Sequence, residues 1–306
     1  MTAAAELVVA RDAPIDTWFG VGGRASRLAR PTTIDDLRRC LELDPRLRIL
    51  GEGANLLVDD DGVDELVVPL TQGVFRSVEI DPLTGRVVAG AGASLQRLII
   101  DTVESGLSGL ESLAGIPATI GGAAVMNAGG VFGQLADHLV EVRVVDREGR
   151  ERLIPRESIT FGYRRSGLPP HIVIGAAFQL ERAEREQLRA RLKHIMQQKS
   201  GTQPLRERSA GCVFKNPTPA HPLESIPTSS DSGRVPAGLL IDRAGCKGMR
   251  VGGAIVSHVH ANFIVADAGC TAGDIIALIG RVRSRVSERF GITLETEVVI
   301  WSKRGT

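Results

Sequence analysis

Three short segments of this chain are rich in glycine and could bind a phosphate-bearing ligand. They are 51–57 (GEGANLL), 89–95 (AGAGASL) and 114–130 (AGIPATIGGAAVMNAGG). Glycine lets backbone N–H groups approach a ligand closely, and consecutive N–H groups form a concave anion site, so a pyrophosphate is the natural guest. None has the Gly-x-Gly-x-x-Gly dinucleotide fingerprint or the Gly-Lys-Ser/Thr ending of a P-loop. The alternative interpretation is that they are tight turns between strands.

A fourth segment, 161–166 (FGYRRS), places two arginines beside a tyrosine. Arg164 and Arg165 directly follow Tyr163, which is the single tyrosine of the chain. Adjacent guanidinium groups can clamp a carboxylate or a phosphate. The alternative is a solvated strand end.

A fifth segment, 209–217 (SAGCVFKNP), presents a thiol in a turn of small residues. Cys212 is followed by two hydrogen-bond donors, Lys215 and Asn216. The alternative is that Cys212 is a buried structural cysteine.

Two glutamates occur near the end of the chain, in 294–298 (LETEV). On a regular strand Glu295 and Glu297 would share one face, about 7 Å apart. Either could act as a general acid or as an electrostatic partner. The alternative is a solvated strand face.

No metal site is predicted. His258 and His260 form a pair without a third ligand close by, which favours a packing or polar role. The four cysteines have neither Cys-x-x-Cys spacing nor a neighbouring His pair, so a reducing cytosol is expected. They lie at positions 40, 212, 246 and 270.

The composition is that of an ordinary globular protein. The chain has 306 residues, is 43% hydrophobic and 24% charged, and carries a formal net charge of +1. Its length suggests two or three domains, and its charge balance does not indicate binding to nucleic acid or to an anionic membrane. The longest uncharged stretch, 112–136, contains Pro117 and several glycines, so it predicts loops rather than a membrane helix. The apolar run at the N-terminus is too short for a signal peptide.

Hydrophobic spacing and capping residues predict interleaved helices and strands, which is typical of α/β or α+β proteins. Helices are expected from Thr33 to Cys40, from Ser94 onwards, over 181–199, and from Thr271 to Phe290 with Gly291 as the stop. Strands are expected at 47–50, 65–69, 76–80, 86–89, 139–145, 151–154, 172–178 and 293–301. The segment 218–236 is rich in Pro, Ser, Thr and Asp and predicts a surface loop with little to bury.

Taken in order from about Thr17 to Trp301, these segments resemble the UDP-N-acetylenolpyruvoylglucosamine reductase family. The resemblance is carried by TWFGVGGRA, GEGANLLV, GLESLAGIPATIGGAAVMNAGG, FGYRRS, QPLRERSAGCVFKNP, AGLLIDRAGCKG, SHVHANFIV and LETEV. It implies an α+β protein with an FAD-binding fold of the p-cresol methylhydroxylase and vanillyl-alcohol oxidase type, followed by a C-terminal α+β substrate domain. Residues 1–200 would form the FAD region, with two α/β lobes to which the strand 293–301 returns, and 201–295 would form the substrate domain.

The resemblance also implies which residues bind and react. FAD would be the cofactor and NADPH the co-substrate, and the reaction would reduce UDP-N-acetylglucosamine enolpyruvate to UDP-N-acetylmuramate for peptidoglycan. Arg164 and Glu297 would stabilise an enolate-like intermediate, Cys212 would donate the proton, and Tyr163, Lys215 and Asn216 would bind substrate. The FAD would be bound by Gly51, Glu52, Gly53, Ala54, Asn55, Leu56, Gly115, Ile116, Pro117, Thr119, Gly121, Gly122 and Asn127. The expected protein is a cytoplasmic monomer that binds neither nucleic acid nor membrane.

The chain departs from the family pattern at several places. Cys212 stands where serine is usual, 218–236 is an insertion, and Leu239 stands where lysine is common. Ala54 and Ala118 replace a usual serine and glycine. One branch of the family covers its substrate with a loop tyrosine. Here the single tyrosine belongs to FGYRRS, so the chain resembles the branch without that loop.

The sequence alone leaves two other interpretations of the function open. An oxidase of the same flavin fold would consume oxygen with an alcohol substrate and would not need NADPH. A non-catalytic UDP-sugar or flavin binding protein would retain the binding segments without turnover.

Overall fold

The chain folds into two compact units. In this computed structural model, residues 7–221, 223, 226 and 233–303 are described. The first unit comprises 7–13, 25–52 and 64–199, and the second comprises 14–24, 53–63 and the described residues from 200 onwards. The sequence predicted one boundary near residue 200. The structure also divides the chain there, but it groups 14–24 and 53–63 with the C-terminal residues.

The first unit contains two main sheets. Their strands are β1 (Val9–Ala13), β2 (Ala25–Ala29), β3 (Arg48–Leu50), β5 (Val63–Pro69), β6 (Val78–Ile80), β7 (Arg86–Gly90), β11 (Leu139–Val145), β12 (Glu151–Pro155) and β13 (Ile172–Gln179). One sheet has the strand order β1-β2-β5-β3, in which β3 and β5 are parallel, and the other has the order β12-β11-β13-β7-β6. Two short pairs complete the unit: β8 (Leu107–Ser108) with β14 (Glu181–Arg182), and β9 (Gly129–Gly130) with β10 (Gly133–Gln134).

Four helices belong to the first unit: α1 (Ile34–Leu43), α2 (Leu95–Glu104), α3 (Ile120–Val125) and α4 (Arg185–Thr202), which runs to the boundary between the units. The cap predicted for α1 is confirmed, because Thr33 and Asp36 form a reciprocal capping box. The Ser94 cap of α2 is confirmed as well, since its side chain accepts from the Arg97 backbone N–H. A continuous core of aliphatic side chains joins both sheets to α1, α2 and α3.

The second unit is built around one long helix. α6 (Ala272–Phe290) starts with a capping box between Thr271 and Asp274 and ends at Gly291, whose φ of 68° suits the left-handed C-terminal cap. Asp60 also accepts from the first backbone N–H groups of α6. The remaining elements are β4 (Leu56–Val58), α5 (Ala237–Arg243), β15 (Arg250–Val251), β16 (Ala254–Val256), β17 (Ile264–Ala266) and β18 (Val299–Trp301). β18 pairs in parallel with β4, and β15, β16 and β17 form a small antiparallel sheet.

Three sequence expectations need correction. The helix expected over 181–199 begins at Arg185, because Glu181 and Arg182 pair with β8 instead. The stretch 112–136 is not all loop, since α3 lies within it. The strand expected over 293–301 is regular only in β18, because the chain bends at Val298 and makes only an isolated bridge at Thr296.

The insertion 218–236 leaves and returns at one point of the second unit. The Val235 backbone N–H donates to the Pro217 carbonyl at 2.9 Å. Nine of the nineteen residues, 222, 224–225 and 227–232, lie outside the described part of the chain, so the loop expected there is not described. The expectation that this segment buries little needs one correction, because Ile226 is 8% exposed and packs into the core of the second unit.

Within the described residues, no helix is long and apolar enough to cross a membrane. The same part of the chain contains no group of three or more His, Cys, Asp or Glu side chains arranged to hold a metal ion.

Candidate active site

The second and third glycine-rich segments pair with each other in the first unit. An isolated antiparallel bridge joins Ser94 to Thr119. Three backbone hydrogen bonds extend this contact: Leu95 N to Ala118 O at 2.9 Å, Ile120 N to Ala93 O at 3.0 Å, and Gly121 N to Ala91 O at 2.8 Å. The two segments therefore form one surface of closely packed backbone, with α3 starting from it.

The start of the first glycine-rich segment lies against the other two. A Cβ atom on Gly51 would stand 2.7 Å from the Thr119 hydroxyl oxygen, so only glycine allows this approach. Burial raises the pKa of the Glu52 carboxyl above its ordinary value, and a side-chain hydrogen bond with Ser94 acts in the opposite direction. Gly51 and Glu52, at the start of the first segment, thus lie against the other two segments within the first unit, which periodicity alone did not predict.

The loop 51–55 offers a row of backbone donors. Among the residues that the structure describes, the N–H groups of Gly51 to Asn55 donate to no protein acceptor, although Gly53 is buried and its neighbours are half-buried. Backbone donors removed from bulk water normally have a partner, so this row suits an anionic ligand. The residues therefore fit the pyrophosphate of FAD. The boundary between the two units falls between Glu52 and Gly53.

Gly115, Ile116 and Pro117 follow a turn that α4 holds in place. The Glu111 side chain is fully buried and pairs with Arg191 of α4 at 3.0 Å. Lys199 donates to the Ala114 carbonyl, and Gly115 has a φ of 72° beneath the Lys199 side chain. Because residues with a side chain rarely adopt this φ, the turn also favours glycine.

The FGYRRS segment forms a tight hairpin in the first unit. Gly162 and Arg165 exchange both backbone hydrogen bonds, at 3.0 and 3.3 Å, so Tyr163 and Arg164 occupy the two turn positions. Arg164 has a φ of 55°, which is uncommon for a residue with a side chain and requires support from its surroundings. Its guanidinium stacks on the Tyr163 ring at 5.3 Å.

Three hydrogen bonds attach the FGYRRS segment to the end of α3 and the residues after it: Asn127 Nδ2 to Gly162 O at 3.2 Å, Arg164 Nη1 to Gly129 O at 2.6 Å, and Ser166 Oγ to Val125 O at 2.8 Å. The half-buried Arg164 side chain is therefore held in one direction. The Asn127 amide also bonds Gln134 and the Ala136 backbone N–H. Its contacts here are with protein, and its role in FAD binding stays a prediction.

In the second unit, Cys212 and Glu297 lie on directly bonded segments. The Glu297 backbone N–H donates to the Val213 carbonyl at 2.7 Å, and Phe214 bridges to Thr296. Cys212 precedes Val213 and is half-buried. The structure therefore hydrogen-bonds the segments of Cys212 and Glu297, which are 85 positions apart in the sequence.

The two glutamates of LETEV have different surroundings. The Glu295 side chain is 77% exposed and pairs with Lys215 at 3.5 Å. Glu297 is half-buried, and the Asn55 side chain donates to its carbonyl oxygen at 3.1 Å. This difference favours Glu297 as the reacting carboxylate, since an exposed pair contributes little in water.

The other expected substrate ligands have protein contacts as well. The Asn216 side-chain oxygen accepts from the Ala237 backbone N–H at 2.9 Å, at the start of α5. Lys215 faces Glu295 as described, and its binding of substrate stays a prediction. Sequence reasoning overlooked Asn262, whose side chain bonds the Phe214 backbone. The only signal available was its place in the same motif as His258 and His260.

Two family models and several known proteins match this chain. The C-terminal domain of UDP-N-acetylenolpyruvoylglucosamine reductase matches residues 203–301, and an FAD binding domain matches residues 25–153. The reductase of Moorella thermoacetica is 41% identical over 94% of this chain and 90% of that protein. That of Desulfosudis oleivorans is 37% identical over 93% of this chain and 91% of that protein.

A solved structure shows the same fold. The crystal structure of UDP-N-acetylenolpyruvylglucosamine reductase from Thermus caldophilus has a TM-score of 0.79 and 37% identity, and the match covers 97% of this chain and 99% of that chain. The α+β fold with an FAD-binding domain is therefore confirmed. With relatives of this similarity over nearly its whole length, the chain belongs to the UDP-N-acetylenolpyruvoylglucosamine reductase family of FAD-dependent oxidoreductases.

Proposed function

We propose that this chain reduces UDP-N-acetylglucosamine enolpyruvate to UDP-N-acetylmuramate, with FAD as cofactor and NADPH as co-substrate. The observation that supports the proposal is the backbone pairing, in the second unit, of the segment that carries Cys212 with the segment that carries Glu297. A non-catalytic binding protein would not require the segments of a candidate proton donor and a candidate carboxyl partner to be paired. The reaction belongs to the synthesis of peptidoglycan precursors, and we place it in the cytoplasm.

Bound FAD would supply the hydride chemistry that links NADPH to the enol ether carbon of the substrate. We assign its binding to the backbone donors of Gly51 to Asn55 and to Thr119, Gly121 and Gly122. The domain roles follow: the first unit mainly binds FAD, and the C-terminal residues mainly bind the UDP-sugar. The protein is proposed to work as a monomer.

Residues of this chain stabilise the negative charge of the intermediate and supply the proton that it takes up. Arg164 supplies a fixed cation, held by Gly129, that stabilises negative charge on the substrate carboxylate as an enolate develops. Glu297 is the carboxyl partner in that stabilisation, following the family resemblance. The Cys212 thiol delivers the proton to carbon. Tyr163, Lys215 and Asn216 are proposed to orient the substrate.

An assay of NADPH oxidation with and without UDP-N-acetylglucosamine enolpyruvate tests this proposal. We expect oxidation that depends on the substrate and yields UDP-N-acetylmuramate. Oxygen consumption with an alcohol substrate and no requirement for NADPH would identify an oxidase instead. Flavin or UDP-sugar binding with no turnover of either kind would identify a binding protein.

Replacing Gly122 by leucine should weaken FAD binding while the fold survives. Gly122 is exposed, and a Cβ there would meet only the Thr119 hydroxyl at 3.4 Å, an ordinary contact. A large side chain at position 122 would therefore project towards the proposed FAD site and would not clash with the protein core. The measurement is the dissociation constant for FAD by flavin fluorescence, together with the melting temperature of the protein without FAD.

Gly121→Leu is the matched control for this prediction. A Cβ on Gly121 would lie 2.9 Å from the Ala91 Cβ, so this variant should lose stability as well as flavin. Unchanged FAD affinity in Gly122→Leu would show that Gly122 has only a structural role and does not border the FAD.

Deleting residues 227–232 should change the Michaelis constant for the UDP-sugar more than the melting temperature. The segment PTSSDS contains no large apolar side chain, so it has little to contribute to a core. Ile226→Ala provides the contrast, because truncating a buried isoleucine costs about 2 kcal/mol or more. Steady-state kinetics and thermal melts of both variants check this. A deletion that lowers the melting temperature as much as Ile226→Ala, with unchanged kinetics, would refute it.

A further inference from the structure

The Asn262 side chain hydrogen-bonds both backbone polar groups of Phe214, which lies two residues after Cys212. Its oxygen accepts from the Phe214 backbone N–H at 2.9 Å, and its nitrogen donates to the Phe214 carbonyl at 2.8 Å. Asn262 is only 3% exposed, so both bonds are shielded from water. An amide side chain that satisfies an N–H and a C=O of one residue replaces the neighbouring strand that would otherwise pair there.

Main-chain contacts add to this attachment. The Val213 backbone N–H donates to the Asn262 carbonyl at 2.8 Å, and Cys212 forms a backbone bridge with Phe263. On its other side, the Val213 carbonyl accepts from Glu297. The residues following Cys212 are thus held from both sides, by Asn262 on one and by the Glu297 segment on the other.

His260 supports the Asn262 backbone. The Asn262 N–H donates to His260 Nδ1 at 3.2 Å, which requires that nitrogen to be without a proton. Burial, and next the charge of Lys247, lower the pKa of His260 below its ordinary value, which favours the neutral ring. The imidazole also packs edge-on against Phe263, with ring centroids 4.9 Å apart. His260 of the motif SHVHANFIV therefore helps to hold the Asn262 backbone in place.

We infer that Asn262 is a positioning residue that sets the location of the Cys212 thiol relative to Glu297, through its two side-chain bonds to Phe214. This inference rests on the proposed function, in which Cys212 donates the proton. The Asn262 side chain acts on the Cys212 segment through the Phe214 backbone, and the Asn262 carbonyl acts on it through the Val213 N–H.

Two variants and one control test the inference in the full-length protein with FAD bound. Asn262→Ala removes both bonds to Phe214, and Asn262→Asp keeps the oxygen that accepts from Phe214 N–H but removes the donor. The control is Ser257→Ala. Ser257 is 4% exposed and lies in the same turn, where its hydroxyl accepts from the backbone N–H groups of Val259 and His260, but it makes no bond to the residues 212–215.

We expect the turnover number of Asn262→Ala to fall about 10- to 100-fold, since displacing a reacting group by about 1 Å can have an effect of this size. Flavin reduction by NADPH, the Michaelis constant for the UDP-sugar and the FAD content should remain close to those of the wild type. The turnover number of Asn262→Asp should lie between those of the wild type and Asn262→Ala. The iodoacetamide alkylation rate of Cys212 should change by about threefold or more in these variants. This rate depends on the exposure and surroundings of the thiol and can be measured without turnover.

Ser257→Ala should lower the melting temperature without these kinetic effects. If the Asn262 variants lose stability but keep wild-type turnover and alkylation rates, Asn262 only stabilises the fold and the inference is wrong. If the wild-type protein shows no turnover that depends on the substrate, the proposed function fails. In that case the alkylation rates alone decide whether Asn262 positions Cys212.

Discussion

Cys212→Ala should lose most of its turnover on the UDP-sugar substrate while its flavin is still reduced by NADPH at the wild-type rate. The alanine variant has no proton to give to the substrate carbon, whereas flavin reduction does not involve this position. Cys212→Ser should remain active, because a serine hydroxyl is the usual donor in the family that this chain resembles. Stopped-flow measurement of flavin reduction, beside steady-state turnover, separates the two halves of the reaction.

The pH dependence of these proteins should differ on the alkaline side. A thiol has an ordinary pKa of about 8.5, whereas a serine hydroxyl stays protonated at any working pH. Since only the protonated thiol can deliver a proton, wild-type turnover is fully present at low pH and is lost as the pH rises through the thiol pKa. Cys212→Ser should therefore keep its turnover to higher pH. Near-normal turnover in Cys212→Ala would show that water or another residue protonates the intermediate.

Alkylation provides an independent check on Cys212. The other three cysteines are buried, and burial raises the pKa of Cys40 to about 12 and the pKa values of Cys246 and Cys270 above their ordinary value. Iodoacetamide reacts with thiolates, so Cys212 should be labelled first. Bound UDP-sugar should protect it. Labelling of another cysteine at the same rate would contradict the predicted selectivity.

Arg164→Ala and Glu297→Gln should each reduce turnover by about 100-fold, the usual scale for removing one preorganised stabilising group. Flavin reduction by NADPH should continue, because neither group is needed for hydride transfer to the flavin. Glu295→Gln is the matched control. Its carboxylate is exposed and pairs only with Lys215 in the described structure, so its loss should be far milder.

Melting curves are needed for Arg164→Ala, because this variant also loses the bond to Gly129. A slowing of flavin reduction as large as the fall in turnover would contradict the proposed roles of Arg164 and Glu297. If Glu295→Gln proves more damaging than Glu297→Gln, the reacting carboxylate has been assigned to the wrong residue.

Much of the secondary structure could be predicted because its signals are local. The caps at Thr33, Ser94 and Thr271 and the stop at Gly291 involve residues within one or two turns of each helix end, and the structure confirms all four. The prediction was wrong at 293–298, where an alternating pattern suggested a continuous strand. There the bend at Val298 and the tertiary partners Val213 and Asn55 determine the backbone.

By itself, the sequence determined the family and the residue types available for chemistry: the glycine-rich segments, the Tyr163–Arg164 pair, a cysteine in place of serine, and two candidate glutamates. Spacing along the chain could not distinguish Glu295 from Glu297, because exposure and the Lys215 pair arise only on folding. Nor could it reveal Asn262, whose bonds span 48 residues. Such contacts follow from how distant segments pack, so only the tertiary structure decided which side chains surround Cys212.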